Sequence, residues 1–277
     1  MGIQTGPDDW REANRAMWDE RVPIHRASDY YDHEGFCRSR DTMRDFEVAE
    51  VGDVTGRTLL HLQCHFGQDT LSWAHRGAAH VVGLDFSEPA IETARETAAE
   101  LGYGPDRASF VAADVYDAAE AVPDSSYDIV YTGIGALNWL PDIVRWAETA
   151  ASLVAPGGFL YLAEFHPLCD ALDEETGSRL TYDYFSRDAW VEETPGTYTD
   201  FDAPTVNNRS VEWQHPLGDV VSAVAAAGLR IDFLHEHDMT MFQRFAALQR
   251  GDDGFYRPPS DRPRMPLMYS LKATRPA

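Results

Sequence analysis

The sequence predicts an α/β fold: a seven-stranded, mostly parallel sheet with helices on both faces and an antiparallel last strand. Three observations predict it. Between Thr58 and Phe165, short apolar runs alternate with helical patterns at the spacing of strand–helix–strand units, and such units build parallel sheets. Glycine and proline punctuate that alternation, at Gly77, Gly102 and the Pro156-Gly157-Gly158 break. A chain of 277 residues, 44% hydrophobic and 12% aromatic, can cover such a sheet on both faces.

The elements follow in order. Residues 8–22 and 38–50 pattern as two amphipathic helices joined by an aromatic, histidine-rich loop, so 1–50 is expected to form an N-terminal helical cap. TLLHLQ (58–63) reads as a buried strand and QDTLSWAHRG (68–77) as a short helix ended by Gly77. AHVVGLD (79–85) is the next strand, and the helix 87–102 has Ser87 to cap it and Gly102 to stop it. ASFVAAD (108–114) and YDIVYTG (127–133) are further strands. Residues 141–154 should be helical, with Pro141 in the first turn and the PGG break after it; FLYLAEF (159–165) is the fifth strand. These make 51–167 the core. Residues 168–210 are polar, aromatic and irregular, and so long a connection reads as a lid or substrate-covering insertion. Residues 211–277 return to the core: helix, Gly228 stop and strand over 215–237, then PLMYSLKAT (266–274) as the last strand.

Bulk composition excludes more than it identifies. Net charge is −23, from 46 acidic against 23 basic residues, and Lys272 is the sole lysine. Such a surface repels a phosphate backbone, so neither nucleic acid nor an anionic membrane is expected as partner. Adaptation to salt would produce the same surface. Three scattered cysteines predict no disulfide framework and fit a reducing cytoplasm. No apolar run is long enough to span a bilayer, and the opening MGIQTGPDDWREANRAMWDE lacks the pattern of a secretory leader. Gly2 follows Met1, but Gly6 stands where myristoylation needs Ser or Thr. His61 and His65 lack a third ligand at metal spacing, so no metal site is expected.

The chemistry gathers at strand ends. In an open parallel sheet, ligands bind beyond the carboxyl ends of the strands. The first strand runs through the turn LHLQCHFGQDT (60–70) into a helix, offering backbone N–H groups to a polar ligand. With Gly67 as its one glycine, it matches neither a dinucleotide fingerprint nor a phosphate loop. The second strand ends in Asp85, a carboxylate able to accept both hydroxyls of a ribose, or else only a helix-capping aspartate. The third ends in Asp114, which can accept from an exocyclic adenine amine while Val115 N–H donates to the ring; a turn aspartate is the other reading. Together the three describe an adenosine site. On this reading, Asp85→Ala weakens ligand binding and leaves the fold nearly unchanged.

The stretch from Leu59 to Pro167 resembles the Rossmann-like core of class I S-adenosylmethionine-dependent methyltransferases. It is similar in particular to a largely uncharacterised group carrying LLHLQCHFGQDTLSWA, GLDFS, YDIVYTGIGALNWLPD and PGGFLYLAEFHP. The likeness runs from Asn14-Arg15-Ala16-Met17-Trp18-Asp19 to about Gly228. It implies S-adenosyl-L-methionine as cofactor, held by Trp18, Gln63, His65, Gly67, Asp85, Phe86, Asp114, Val115 and Thr132. One departure is plain. The usual first motif is an acidic residue followed by alternating glycines, and here those positions read His61, Gln63, His65 and Gly67. The methionine amine must then find another acceptor, such as the Gln63 side-chain carbonyl or that of Thr132.

On the acceptor side, Tyr31, Trp139 and Tyr184 are expected to meet substrate. Tyr30, His25, Asn138, Tyr131, Tyr182 and Trp190 lie in the same segments. His166, just beyond the fifth strand, is read as base or orienting residue, with a hydrogen-bonded structural histidine as the other reading. Glu164 is open between site and ion pair; His215 reads as cap or packing, and Cys64 as packing. The expected activity is methyl transfer to a small, partly apolar or aromatic acceptor. The alternatives are a nucleotide-binding oxidoreductase and a non-catalytic S-adenosylmethionine-binding protein.

Overall fold

The structure is a computed structural model describing residues 6–277. Gly2, considered above for a lipid anchor, lies outside the described residues. Five strands build the parallel sheet: β1 (Thr58–Leu62), β2 (His80–Asp85), β3 (Ala108–Ala112), β4 (Tyr127–Thr132) and β5 (Val154–Phe165). The chain adds β8 (Arg230–His237) and β11 (Met268–Thr274), giving the order β3-β2-β1-β4-β5-β11-β8. β11 runs antiparallel to both β5 and β8, as the sequence predicts.

Side-chain alternation along β1 shows why both faces must be covered. Leu60 and Leu62 point to a core shared with α7 (Ile143–Ser152) and α8 (Leu217–Ala226), where Trp146 and Val220 are fully buried. Leu59 points to the other core, shared with α4 (Gln68–His75) and α5 (Glu88–Glu100), where Trp73 and Ile91 are buried. Parallel strands buried on both faces are the physical meaning of their near-continuous apolar sequence. The order reverses between β1 and β4, and a crevice opens there beyond the strand ends.

Several boundaries differ from expectation, each for a local reason. Helix α1 (Trp10–Ala27) continues through Pro23, past the predicted end at residue 22. Arg21, Val22 and His25 are buried on its inner face, and that burial outweighs the lost helical bond. The loop that follows contains α2 (His33–Ser39), before α3 (Asp45–Val51). Helix α7 is capped by Asp142, whose carboxylate accepts from Val144 and Arg145 N–H, so Pro141 precedes the helix and is not in its first turn. The helix ends at Ser152, and Pro156-Gly157-Gly158 falls inside β5. A Cβ at Gly158 would sit 2.6 Å from the Asp128 carbonyl oxygen, so only glycine lets the strand close on β4.

Further pieces lie outside the seven-stranded sheet. The short helix α6 (Ala118–Ala121) follows β3. Within 168–210, β6 (Trp190–Glu193) pairs antiparallel with β7 (Arg209–Glu212). Between β8 and β11, the chain makes a second excursion through β9 (Gln249–Arg250) and β10 (Tyr256–Arg257), unread from the sequence. Among the described residues, no helix is long and apolar enough to cross a membrane.

Candidate functional site

The turn after β1 keeps a backbone that glycine would normally supply. Gln63 and His65 have φ of +57° and +50°, and Gly67 has +78°. The left-handed region costs a residue with a Cβ about 1–2 kcal/mol, so the turn needs external support. His65 N–H donates to Asp85 Oδ2 at 2.8 Å, Cys64 N–H donates to the Leu84 carbonyl at 2.9 Å, and Gln63 Nε2 donates to the Ala136 carbonyl at 2.9 Å. Gly67 is required twice over, since a Cβ there would also press on Phe110 at 2.7 Å. Gln63 Oε1 is left buried and without a partner. An orphaned carbonyl at this place is an acceptor awaiting a donor.

Asp85 and Asp114 stand beside that turn. Asp85 also takes Ser87 N–H on Oδ1 at 3.0 Å, and burial raises its pKa to about 6 against the pull of those N–H donors. Asp114 accepts Tyr116 N–H at 2.9 Å and pairs through Oδ2 with Arg11 Nε of α1 at 2.5 Å. Arg15, one helical turn on, lies 5.9 Å from the Phe86 ring centre. Each carboxylate oxygen keeps lone-pair capacity for a ligand hydroxyl or amine.

These groups face one cavity of about 1900 Å³. Trp18, Tyr31, Gln63, His65, Gly67, Asp85, Phe86, Asp114, Val115 and Trp139 all line it. Trp18 bridges the two sides, meeting His65 edge-on at 5.3 Å and Trp139 at 5.2 Å between ring centres. Trp139 itself donates Nε1–H to the Gly135 carbonyl at 3.0 Å. Three expected residues are not brought to the cavity. Thr132 is fully buried within the sheet. Tyr184 Oη accepts Leu217 N–H at the start of α8. His166 accepts Leu168 N–H on Nδ1 at 3.1 Å and faces Glu236 with Nε2 at 3.1 Å, which is the structural alternative weighed for it.

Other residues prove more important than their sequence suggests. Glu164 accepts N–H bonds from Gly135, Ala136 and Leu137 at 2.7–2.9 Å, so it fixes the loop that carries Asn138 and Trp139. His25, fully buried, bonds His65 Nε2 through Nδ1 at 2.9 Å and Thr197 Oγ1 through Nε2 at 2.5 Å. Burial holds His25 neutral, lowering its pKa to about 4, and pushes His65 well below the usual range. Tyr31 and Tyr198 share a hydroxyl contact over the same turn. His61, in place of the usual acidic residue, bonds Thr70 Oγ1 at 2.8 Å and is likewise held neutral by burial, at about 4. His215 bonds the Leu140 carbonyl, a packing role. Tyr131 donates to buried Glu47 in the core, away from the cavity.

The comparisons with known proteins bear on the fold that carries this cavity. Residues 59–158 match the model of a methyltransferase domain. A ubiquinone biosynthesis O-methyltransferase of Neisseria meningitidis is 36% identical over 111 residues, 40% of this chain and 45% of that protein. The chain thus matches less than half the length of that relative. A trans-aconitate 2-methyltransferase of Methylobacterium radiotolerans is 29% identical over 77% of this chain and 84% of that one. The solved structure of an S-adenosylmethionine dependent methyltransferase from Mesorhizobium loti superposes with a TM-score of 0.56 and 23% identity, covering 83% of this chain and 96% of the other.

Proposed function

We propose that the chain transfers a methyl group from S-adenosylmethionine to a small-molecule acceptor: residues 59–158 match a methyltransferase domain, and the sheet has the fold of solved S-adenosylmethionine dependent methyltransferases. One observation carries the reading. Asp85, Asp114 and Gln63, whose buried Oε1 has no partner, line a single cavity at the point where the strand order reverses. Asp85 would take the ribose hydroxyls, with Asp114 and Val115 at the adenine edge and Phe86 beside it. Gln63 Oε1 would accept from the methionine ammonium, in place of the missing acidic residue. When bound, the cofactor supplies an electrophilic methyl group on a sulfonium.

The chain's own part is alignment and exclusion of water, which contribute much of the rate in an in-line displacement. Trp18, Tyr31, Trp139 and Tyr198 roof the cavity around the turn. His166 is assigned no step, because it stands outside that cavity. A net charge of −23 supports a small molecule over a nucleic acid. Calorimetric titration with S-adenosylhomocysteine, alongside NAD, tests the reading. The expected result is micromolar affinity for the former, about −8 kcal/mol, and no heat with the latter. Silence at millimolar S-adenosylhomocysteine would overturn it.

A further inference from the structure

The cavity is about twice the size of an ordinary ligand pocket, whose upper end is about 1000 Å³. Its cofactor end accounts for one part of that space. The other part is walled by Phe46 of α3, Phe165 at the end of β5, and Met239, Met241, Phe242 and Phe255 of the second excursion. No strand-end pattern marks that excursion, and the adenosine site does not need it.

The charges around this lobe are already spent on each other. Arg44 holds Glu47 at 2.8 Å and Asp69 at 3.4 Å. Arg257 grips Asp253 through both nitrogens at 2.7 and 2.9 Å, and Arg244 holds Asp170 at 2.9 Å. Arg38, at the rim, lies 3.8 Å from Glu34. Among the described residues, these four are the arginines that line the cavity, and each has an acidic partner. Asp45 and Asp69 add negative charge to the same wall. An anionic acceptor would leave water for a wall whose described arginines each already face a carboxylate, and apolar contacts do not repay that desolvation. Aromatic rings and flexible methionines instead suit a broad, uncharged, apolar face.

We infer that the acceptor is an uncharged, bulky aromatic or polycyclic molecule, seated between Phe46, Phe165 and the Met239–Phe255 excursion, and not a carboxylate-bearing acid. Calling this molecule the acceptor rests on the methyl-transfer reading; the preference of the lobe does not.

The test is a calorimetric titration of the protein with naphthol, with naphthoate as its charged counterpart, and with trans-aconitate, each with and without saturating S-adenosylhomocysteine. Naphthol should bind with a negative heat-capacity change, naphthoate roughly tenfold or more weakly, and trans-aconitate not at all. Phe242→Arg places a cation at a partly exposed position of that wall, and should raise the affinity for naphthoate relative to naphthol roughly tenfold. Naphthoate binding as well as naphthol, binding of trans-aconitate, silence from all three, or an inert Phe242→Arg would each overturn the inference. If S-adenosylhomocysteine fails to bind, the methyl-transfer reading falls, and the naphthol and naphthoate affinities of the free protein still decide this one.

Discussion

Asp85 serves the turn as well as the cavity. Its two oxygens accept His65 and Ser87 N–H groups, and the first of these holds a non-glycine residue in the left-handed region. Asp85→Ala therefore frees both donors and the strain together. We expect a loss of about 2–3 kcal/mol in stability by urea denaturation, besides weaker cofactor binding. That departs from the sequence-based expectation of an unaffected fold, and an unchanged midpoint would restore it. Asp85 and Asp114 were legible as site candidates because a parallel sheet collects its strand ends on one edge. Thr197 and Tyr198 were not, because their bonds to His25 join residues about 170 positions apart, beyond the reach of any local pattern. For His166 the structure shows the hydrogen-bonded arrangement that stood beside the catalytic reading. A strand end marks the edge of the sheet, but its partner Glu236 comes from β8, two strands away in the order.

Helix α1 is hydrogen-bonded to residues 206–211 at the end of the long excursion. The Asn14 side chain pairs with both backbone groups of Val211 at 2.8 Å, imitating a sheet bond between helix and β7. Glu20 accepts Val206 and Asn207 N–H, and Arg21 donates to the Asn207 carbonyl. Such bonds are strongest where they are buried, and Asn14 is fully so. Asn14→Ala should therefore loosen both segments together. Hydrogen exchange is expected to speed up in residues 10–27 and 206–213 alike, with the β1–β5 core unchanged. Faster exchange in one segment alone would mean that the two are independent pieces. The sequence marked both segments as aromatic and charged, yet its amphipathic pattern predicts a helix ending at residue 22. Tertiary burial of Arg21 and His25 decided otherwise.

At the scale of the whole molecule, buried titratable groups oppose one another. His25, His61 and His215 are each held by burial at about 4, below their usual 6.5. The unfolded chain thus binds more protons between those values, and stability falls as pH drops from about 6.5 toward 4. Asp85 and Glu212, raised by burial to about 6 and about 7, work in the opposite sense over an overlapping window. His61→Asn removes one destabilising contribution, so its melting temperature should fall less between pH 7 and pH 5 than the parent's. An equal or larger fall would mean that His61 charges without penalty in the folded state.

On the proposed reading, one cavity over the 63–67 turn receives S-adenosylmethionine in an orientation set by Asp114, Asp85 and Gln63. A crystal structure of the S-adenosylhomocysteine complex is the decisive measurement. Adenine is expected against Phe86, Asp114 and Val115, the ribose hydroxyls on Asp85, and the amino group within hydrogen-bond distance of Gln63 Oε1. An open lobe is expected beside the sulfur, facing Phe165 and Phe242. Ligand density elsewhere, or in this cavity with neither Asp85 nor Asp114 touching it, would overturn that orientation.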